Sequence, residues 1–306
     1  MFDIVTVGHF SIDFIELPEG KVTKPTLGGP PTYVSLAARS LGAKASVLSK
    51  VGDDFPPDYV TWLKNQGVDL SGLERVEGAL TTSFVLHYYG QGDRQLFLKN
   101  RAPSIEAEDI PDSFKAKAVH LAPIANEIPY GTAARLRAMT SSVSLDPQGL
   151  LRRFREDGKT YLGSIENPEI LRMTDVFKGS QKEMRAITGE SSLAQAINSV
   201  HKHGVKTVIV TRGAEGSLVY LNRRLYRVPA AKPRIVVDTT GSGDAFIGAF
   251  LAEYVRGKEP LWCASVGSAC ASFVIEKLGP TGFGSQREVY ERAAEVYEKT
   301  CVVAKA

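Results

Sequence analysis

Residues Asp238–Ala245 read DTTGSGDA. The run before them, RIVV (Arg234–Val237), is β-branched and predicts a buried strand. The run after them, AFIGAFLAEYV (Ala245–Val255), is long and apolar enough to predict a buried helix. A strand thus feeds a glycine-rich turn that opens a helix. Helix N-termini present free backbone N–H groups and a partial positive charge. Such a turn binds a phosphate oxygen or a developing anion. Gly241 and Gly243 carry no Cβ, so a ligand can approach the backbone. Asp244 sits inside this anion site, where a carboxylate repels phosphate. It makes chemical sense as a general base that takes a proton from a hydroxyl attacking phosphorus.

A plainer reading makes Asp244 the polar end of an ordinary helix-capping turn. Two richer ones fail. No Lys follows the glycines, which excludes the nucleotide-cradling Gly-Lys-Ser/Thr pattern. Phe246 stands where a dinucleotide fingerprint has its third glycine.

DTTGSGDA resembles the C-terminal signature of the ribokinase-like (PfkB) carbohydrate kinase family, and the similarity runs over nearly the whole chain. The resemblance implies an α/β fold, a three-layer sandwich with a central, mostly parallel sheet and a small β-sheet lid. It implies one domain over residues 1–306, with lid segments near 14–26 and 82–101. Asp244 is then the catalytic base, and the amides of Gly241, Ser242 and Gly243 form the anion hole. Gly243→Val is expected to harm catalysis more than Gly216→Ala, through unusual backbone angles at Gly243 and crowding of the phosphoryl group.

The 306 residues are 43% hydrophobic, ample for a sizeable core, and the net charge of +3 is spread without a basic patch. No nucleic-acid partner is expected. No apolar run reaches the ~18–20 residues of a membrane span, and Met1 leads at once into a strand. A cytoplasmic protein is expected. The three cysteines (Cys263, Cys270, Cys301) lack metal-ligand spacing and suit a reducing interior.

FDIVTVGH (Phe2–His9) predicts a first strand, with Asp13 in the loop beyond it. Ligands of open α/β sheets lie past the carboxyl ends of parallel strands, so Asp13 is placed to reach one. Gly28 and Gly29 precede a helix over Thr32–Leu41, and the resemblance lays substrate against their backbone. Pro30 and Pro31 depart from the family pattern. Lys50 in KVGDD and Arg101 after a hairpin (Ser83–Tyr89, Gln95–Lys99) are further substrate-side candidates, each of which also reads as a solvated surface charge. From Ala118 strands alternate with helices, which argues for a parallel sheet covered on both faces. SLVYL and LYRV (Ser217–Leu221, Leu225–Val228) read as a hairpin at the sheet edge.

The nucleotide side rests on the resemblance. Thr211, Gly213 and Gly216 match a turn along the nucleotide phosphates and ribose. Ala269 lies on a small-residue helix (Ala264–Val274) that resembles the wall of the adenine pocket, and tight helix packing explains the same composition. Ser180 and Glu183 stand at the family's Asn-x-x-Glu, with Ser replacing Asn. Glu183 is the expected indirect partner of Mg2+, through water.

The function implied is an ATP-dependent kinase that uses Mg2+, admits a monovalent cation, and phosphorylates a hydroxyl of a small sugar or cyclitol. The lid of such kinases commonly forms a homodimer interface. Ser180 and the segments Ala125–Pro129 and Leu145–Gly149 resemble the branch containing myo-inositol 3-kinases. Asp13, Asn126, Asp146 and Gln148 fall after predicted strands or in adjoining loops and are expected to converge on one polyol. The alternatives are a nucleoside acceptor stacked on Tyr33 or Tyr88, and a non-catalytic ligand-binding homologue.

Overall fold

Runs such as IVTV (Ile4–Val7) and TVIV (Thr207–Val210) are apolar without alternation, the pattern of strands covered on both faces. The computed structural model describes residues 1–16, 24–89 and 93–305. Ten strands form one sheet. From one edge they run Cys301–Lys305, Arg224–Val228, Ser217–Leu221, Thr207–Thr211, Val176–Ser180, Ser142–Leu145, Ala116–Leu121, Phe2–Val7, Ala45–Val51 and Asp69–Arg75. The seven from Thr207–Thr211 onward are parallel, and the first three add antiparallel.

Side chains alternate between two cores. Ile4, Val176 and Ile209 face the helices Pro30–Ser40, Ser242–Tyr254, Pro260–Val274 and Gln286–Glu298. Val5, Val119 and Phe177 face helices Tyr130–Met139, Gln181–Thr188 and Leu193–His201. This gives the three layers expected. A separate four-stranded sheet runs in the order Thr26–Gly28, Ser11–Glu16, Ser83–Tyr89, Asp93–Asn100. Its strands fall in or beside the segments 14–26 and 82–101. Residues 17–23 and 90–92 of those segments lie outside the described residues.

The Ser242–Tyr254 helix is apolar around its whole circumference, as a helix enclosed by others must be. Gly248 lets it touch the backbone of Val34, where any Cβ would overlap the Val34 carbonyl. On its other side Gly267 sits so close that a Cβ would lie 2.7 Å from the Phe246 carbonyl. Two glycines therefore wedge this helix between its neighbours and fix the height of its first turn.

Three expectations are corrected. Ile235–Val237 is not a strand: these residues are exposed (61%, 60% and 52%) and run beside Ile275. β-branched composition reports fitness for a pleated, packed surface, and this run has no strand beside it to supply one. Asp13 lies within the Ser11–Glu16 strand of the small sheet, not in a loop. The Ser217–Val228 hairpin is not at the edge, because Cys301–Lys305 pairs with Arg224–Val228 beyond it.

Candidate active site

The turn Thr239–Gly241 enters the helix through Gly241, which takes left-handed angles (φ 73°). A Cβ there would strike the Tyr33 ring, so glycine is required twice over. Asp238 accepts from the Thr240 N–H at 2.9 Å and Ser242 Oγ donates to the Thr239 carbonyl at 2.8 Å, which locks the turn. The first amides of a helix have no intrahelical acceptor. Here the Ser242 N–H leans on the Thr239 carbonyl at 3.3 Å, so Gly243 and its neighbours are the stronger donors toward a ligand.

Asp244, on that first turn, is partly buried. Burial pushes its carboxyl up to about 7, with Asp146 and Glu183 adding to the rise and Lys178 and Arg152 opposing it. Lys178 donates to Asp146 at 2.5 Å, and both side chains are almost wholly buried. Its Nζ lies 2.8 Å from where a Cβ on Gly243 would stand. Burial works against the Lys178 charge, but Asp146, Asp244 and Glu183 outweigh it and raise the ammonium above its ordinary range. Lys178 and Arg152 escaped the sequence reading. A lysine inside a predicted buried strand was the available signal.

A cavity of about 230 Å3 opens in front of Asp244. Its lining mixes polar groups, Asp13, Gln148, Arg152 and Asp244, with Gly29, Tyr33 and Gly241 and with the apolar side chains of Ile124 and of Phe84, Leu86 and Leu96 from the small sheet. Gly28 is explained by Asp13, whose carboxylate fills the space a Cβ would need. Gly29 (φ 85°) caps the Pro30–Ser40 helix against the His9 carbonyl. Arg152 donates to Gln148 Oε1 at 2.7 Å and to the Ile124 carbonyl at 3.0 Å.

Other candidates lie elsewhere. Asp146 does not line the cavity; it pairs with Lys178 behind it. Lys50 is committed to Asp109 at 2.7 Å and Glu74 at 3.5 Å. Arg101 donates to the Asn126 carbonyl at 2.7 Å, and Asn126 takes left-handed angles (φ 59°) in a turn. Its neighbour Glu127, which the sequence reading passed over, is fully buried and accepts from the N–H groups of His9, Ile124 and Ala125. Glu127 thereby ties the end of the first strand to the loop under the cavity.

On the nucleotide side, Thr211 and Ser180 sit side by side at the carboxyl ends of adjacent parallel strands. Ser180 and Glu183 form a capping box: Glu183 accepts from the Ser180 N–H at 2.6 Å and its own N–H donates to Ser180 Oγ at 3.3 Å. Gly213 (φ 57°) has open space around it, whereas Gly216 (φ 85°) is pressed against the Val228 carbonyl, so Gly216 cannot gain a Cβ without strain. Gly216→Ala is therefore a change in stability, separate from the expectation about catalysis. Gly243 has helical angles, and a Cβ there would meet the Lys178 ammonium that Asp146 holds. Ala269 is enclosed in the core, and its helix uses small residues to pack against the Ser242–Tyr254 helix.

Among the described residues no group of three or more His, Cys, Asp or Glu is arranged to hold a metal ion. Carboxylates at Glu183 and Asp244, beside an anion turn, fit a cation carried in on a nucleotide's phosphates rather than caged by protein. Among the described residues no helix is long and apolar enough to cross a membrane.

A carboxylate held near neutrality at a helix N-terminus, facing a cavity, in a sheet flanked by helices on both faces, defines a phosphotransferase acting on a small hydroxyl compound. The chain belongs to the pfkB family of carbohydrate kinases, whose model matches residues 1–286. It is 31% identical over 283 residues to a cytidine kinase of Thermococcus kodakarensis, covering 91% of this chain and 98% of that one. It is 28% identical over 304 residues to a nucleoside kinase of Methanocaldococcus jannaschii, covering 95% and 97%. Among solved structures, a pyrophosphate-dependent kinase of the ribokinase family superposes with a TM-score of 0.81 at 24% identity, covering 94% of this chain and 99% of that one.

Proposed function

We propose that this kinase transfers the γ-phosphoryl group of ATP to a hydroxyl of a nucleoside. The observation that carries the reading is the mixed lining of the cavity, where Asp244, Asp13, Gln148 and Arg152 share the space with Phe84, Leu86, Leu96 and Ile124. A ribose hydroxyl suits the polar groups and a flat base suits the apolar side chains. The similarity to cytidine and nucleoside kinases over nearly the full length supports the same acceptor class.

In this reading Asp244 takes the acceptor proton. Asp13 and Gln148 orient the acceptor, and the Gly243 region together with Arg152 receives the charge of the transferring phosphoryl group. Glu183 and Asp244 would face a Mg2+ ion, which neutralises phosphate charge when bound. Tyr33 lines the same cavity.

A cyclitol acceptor is the second reading. Of its four nominated contacts Asp13 and Gln148 line the cavity, which favours it, while Asn126 and Asp146 do not. A pyrophosphate-dependent relative in complex with myo-inositol shares the fold at 23% identity. The deciding experiment measures ADP release from ATP with cytidine, adenosine, ribose, fructose and myo-inositol. A nucleoside should lead in kcat/KM by tenfold or more, on the order of one well-placed contact. A lead for myo-inositol would overturn the nucleoside assignment and leave the kinase intact.

A further inference from the structure

A short hairpin, Arg152–Phe154 paired with Thr160–Leu162, leaves the cavity and crosses to the small sheet. At its tip the Gly158 carbonyl accepts from the Leu98 N–H at 2.8 Å, and Phe97 faces Lys159 in an antiparallel bridge. Gly158 takes left-handed angles (φ 81°) hard against the Leu98 carbonyl, so no other residue fits without moving the sheet. Midway, Phe154 packs into the apolar cluster of Phe84, Leu86, Leu96 and Leu98. At its root stands Arg152, bonded to Gln148 and Ile124, with its guanidinium 5.5 Å from the centre of the Phe84 ring. One element thus touches the outer strand of the sheet, its inner face and the cavity arginine.

We propose that this hairpin is a strap that makes the small sheet and the Arg152 guanidinium one moving body. An acceptor bound under the sheet then sets the position of the arginine that meets the phosphoryl group. The inference rests on the kinase reading of the cavity. Arg152 meets the transferring group; Gly158, Phe154 and Lys159 are positioning residues that act through it. A strap of this kind ties phosphoryl transfer to acceptor occupancy, because water alone leaves the sheet, and with it Arg152, unseated.

The test joins the strap to the sheet covalently. Phe97 and Lys159 stand opposite each other, at a spacing a disulfide can span. F97C/K159C is made in a Cys301→Ser background, since Cys263 and Cys270 are buried. With the acceptor that the parent enzyme turns over best, kcat and acceptor KM should agree within about twofold between oxidised and reduced forms. A loss of about tenfold or more on oxidation, restored by dithiothreitol, means that sheet and hairpin part during turnover and overturns the proposal. Gly158→Ala supplies the opposite perturbation. It should raise acceptor KM about tenfold and increase acceptor-independent ADP release relative to coupled turnover, with donor KM held within about twofold. An unchanged acceptor KM in a variant of unchanged circular dichroism contradicts the strap. Parental turnover checks the kinase reading separately, so the two failures are distinguishable.

Discussion

The Lys178 ammonium lies 2.5 Å from the Asp146 carboxylate, buried directly behind the turn that carries Asp244. The two charges act on the base in opposite directions: Lys178 lowers its pKa and Asp146 raises it. Burial nonetheless dominates and leaves the Asp244 carboxyl near 7. The acid limb of kcat/KM should therefore rise with unit slope through about pH 7, as Asp244 loses its proton. Lys178→Met should move that limb to higher pH and Asp146→Asn to lower pH. Matched shifts, or none, would separate the pair from the base. Lys178→Met also strands a buried carboxylate and should cost about 3–5 kcal/mol of stability by denaturant unfolding.

Stability should record the same carboxyl. Its folded pKa is raised from 3.8 to about 7, so the unfolded chain ionises more readily and stability is lost as pH rises between those values. Asp244→Asn removes that loss. At pH 8 the variant should melt above the parent by roughly 2 °C or more, and the gain should vanish near pH 4. Buried His120 works the other way: desolvation depresses it to about 4, so its contribution is present above pH 6.5 and lost as pH falls toward 4. In Asp244→Asn this acid sensitivity is no longer offset. Melting temperatures from pH 4 to 8 would show it, and parallel curves for parent and variant would contradict the Asp244 assignment.

The glycines separate structure from chemistry. Gly216→Ala forces a Cβ onto the Val228 carbonyl in a left-handed conformation and should destabilise by about 1–3 kcal/mol. Gly243→Ala meets the Lys178 ammonium, which Asp146 holds in place. The clash is with one side-chain end rather than with backbone, so it should destabilise less than Gly216→Ala while lowering kcat. Denaturant midpoints beside kcat for the two variants test the contrast; a Gly243→Ala protein that loses stability rather than rate would contradict it.

DTTGSGDA placed Asp244 on the helix turn from sequence because strand-turn-helix chemistry is local: glycine angles, amide orientation and one carboxylate lie within eight residues. The three layers were legible for a similar reason, since apolar runs alternate with helical periods. Lys178, Arg152 and Glu127 were not legible. Each acts on a residue from another strand or loop, and nothing in VFKGS or LLRRF states that a buried carboxylate waits across the sheet. Ile235–Val237 failed in the reverse sense, because β-branched residues signal a strand only where a partner strand exists. Lys50 looked like a free charge because Asp109, its closer partner, is fifty-nine positions away in the chain.

The most direct measurement is the turnover of Asp244→Asn with saturating ATP and the best acceptor, with nucleotide binding followed in parallel. Removal of a general base costs ~10²–10⁴-fold in rate. With Asp244 as that base, kcat should fall by this margin while nucleotide affinity is retained. A variant that binds nucleotide and keeps kcat within a few-fold of the parent would contradict the assignment of Asp244 as the residue that takes the acceptor proton.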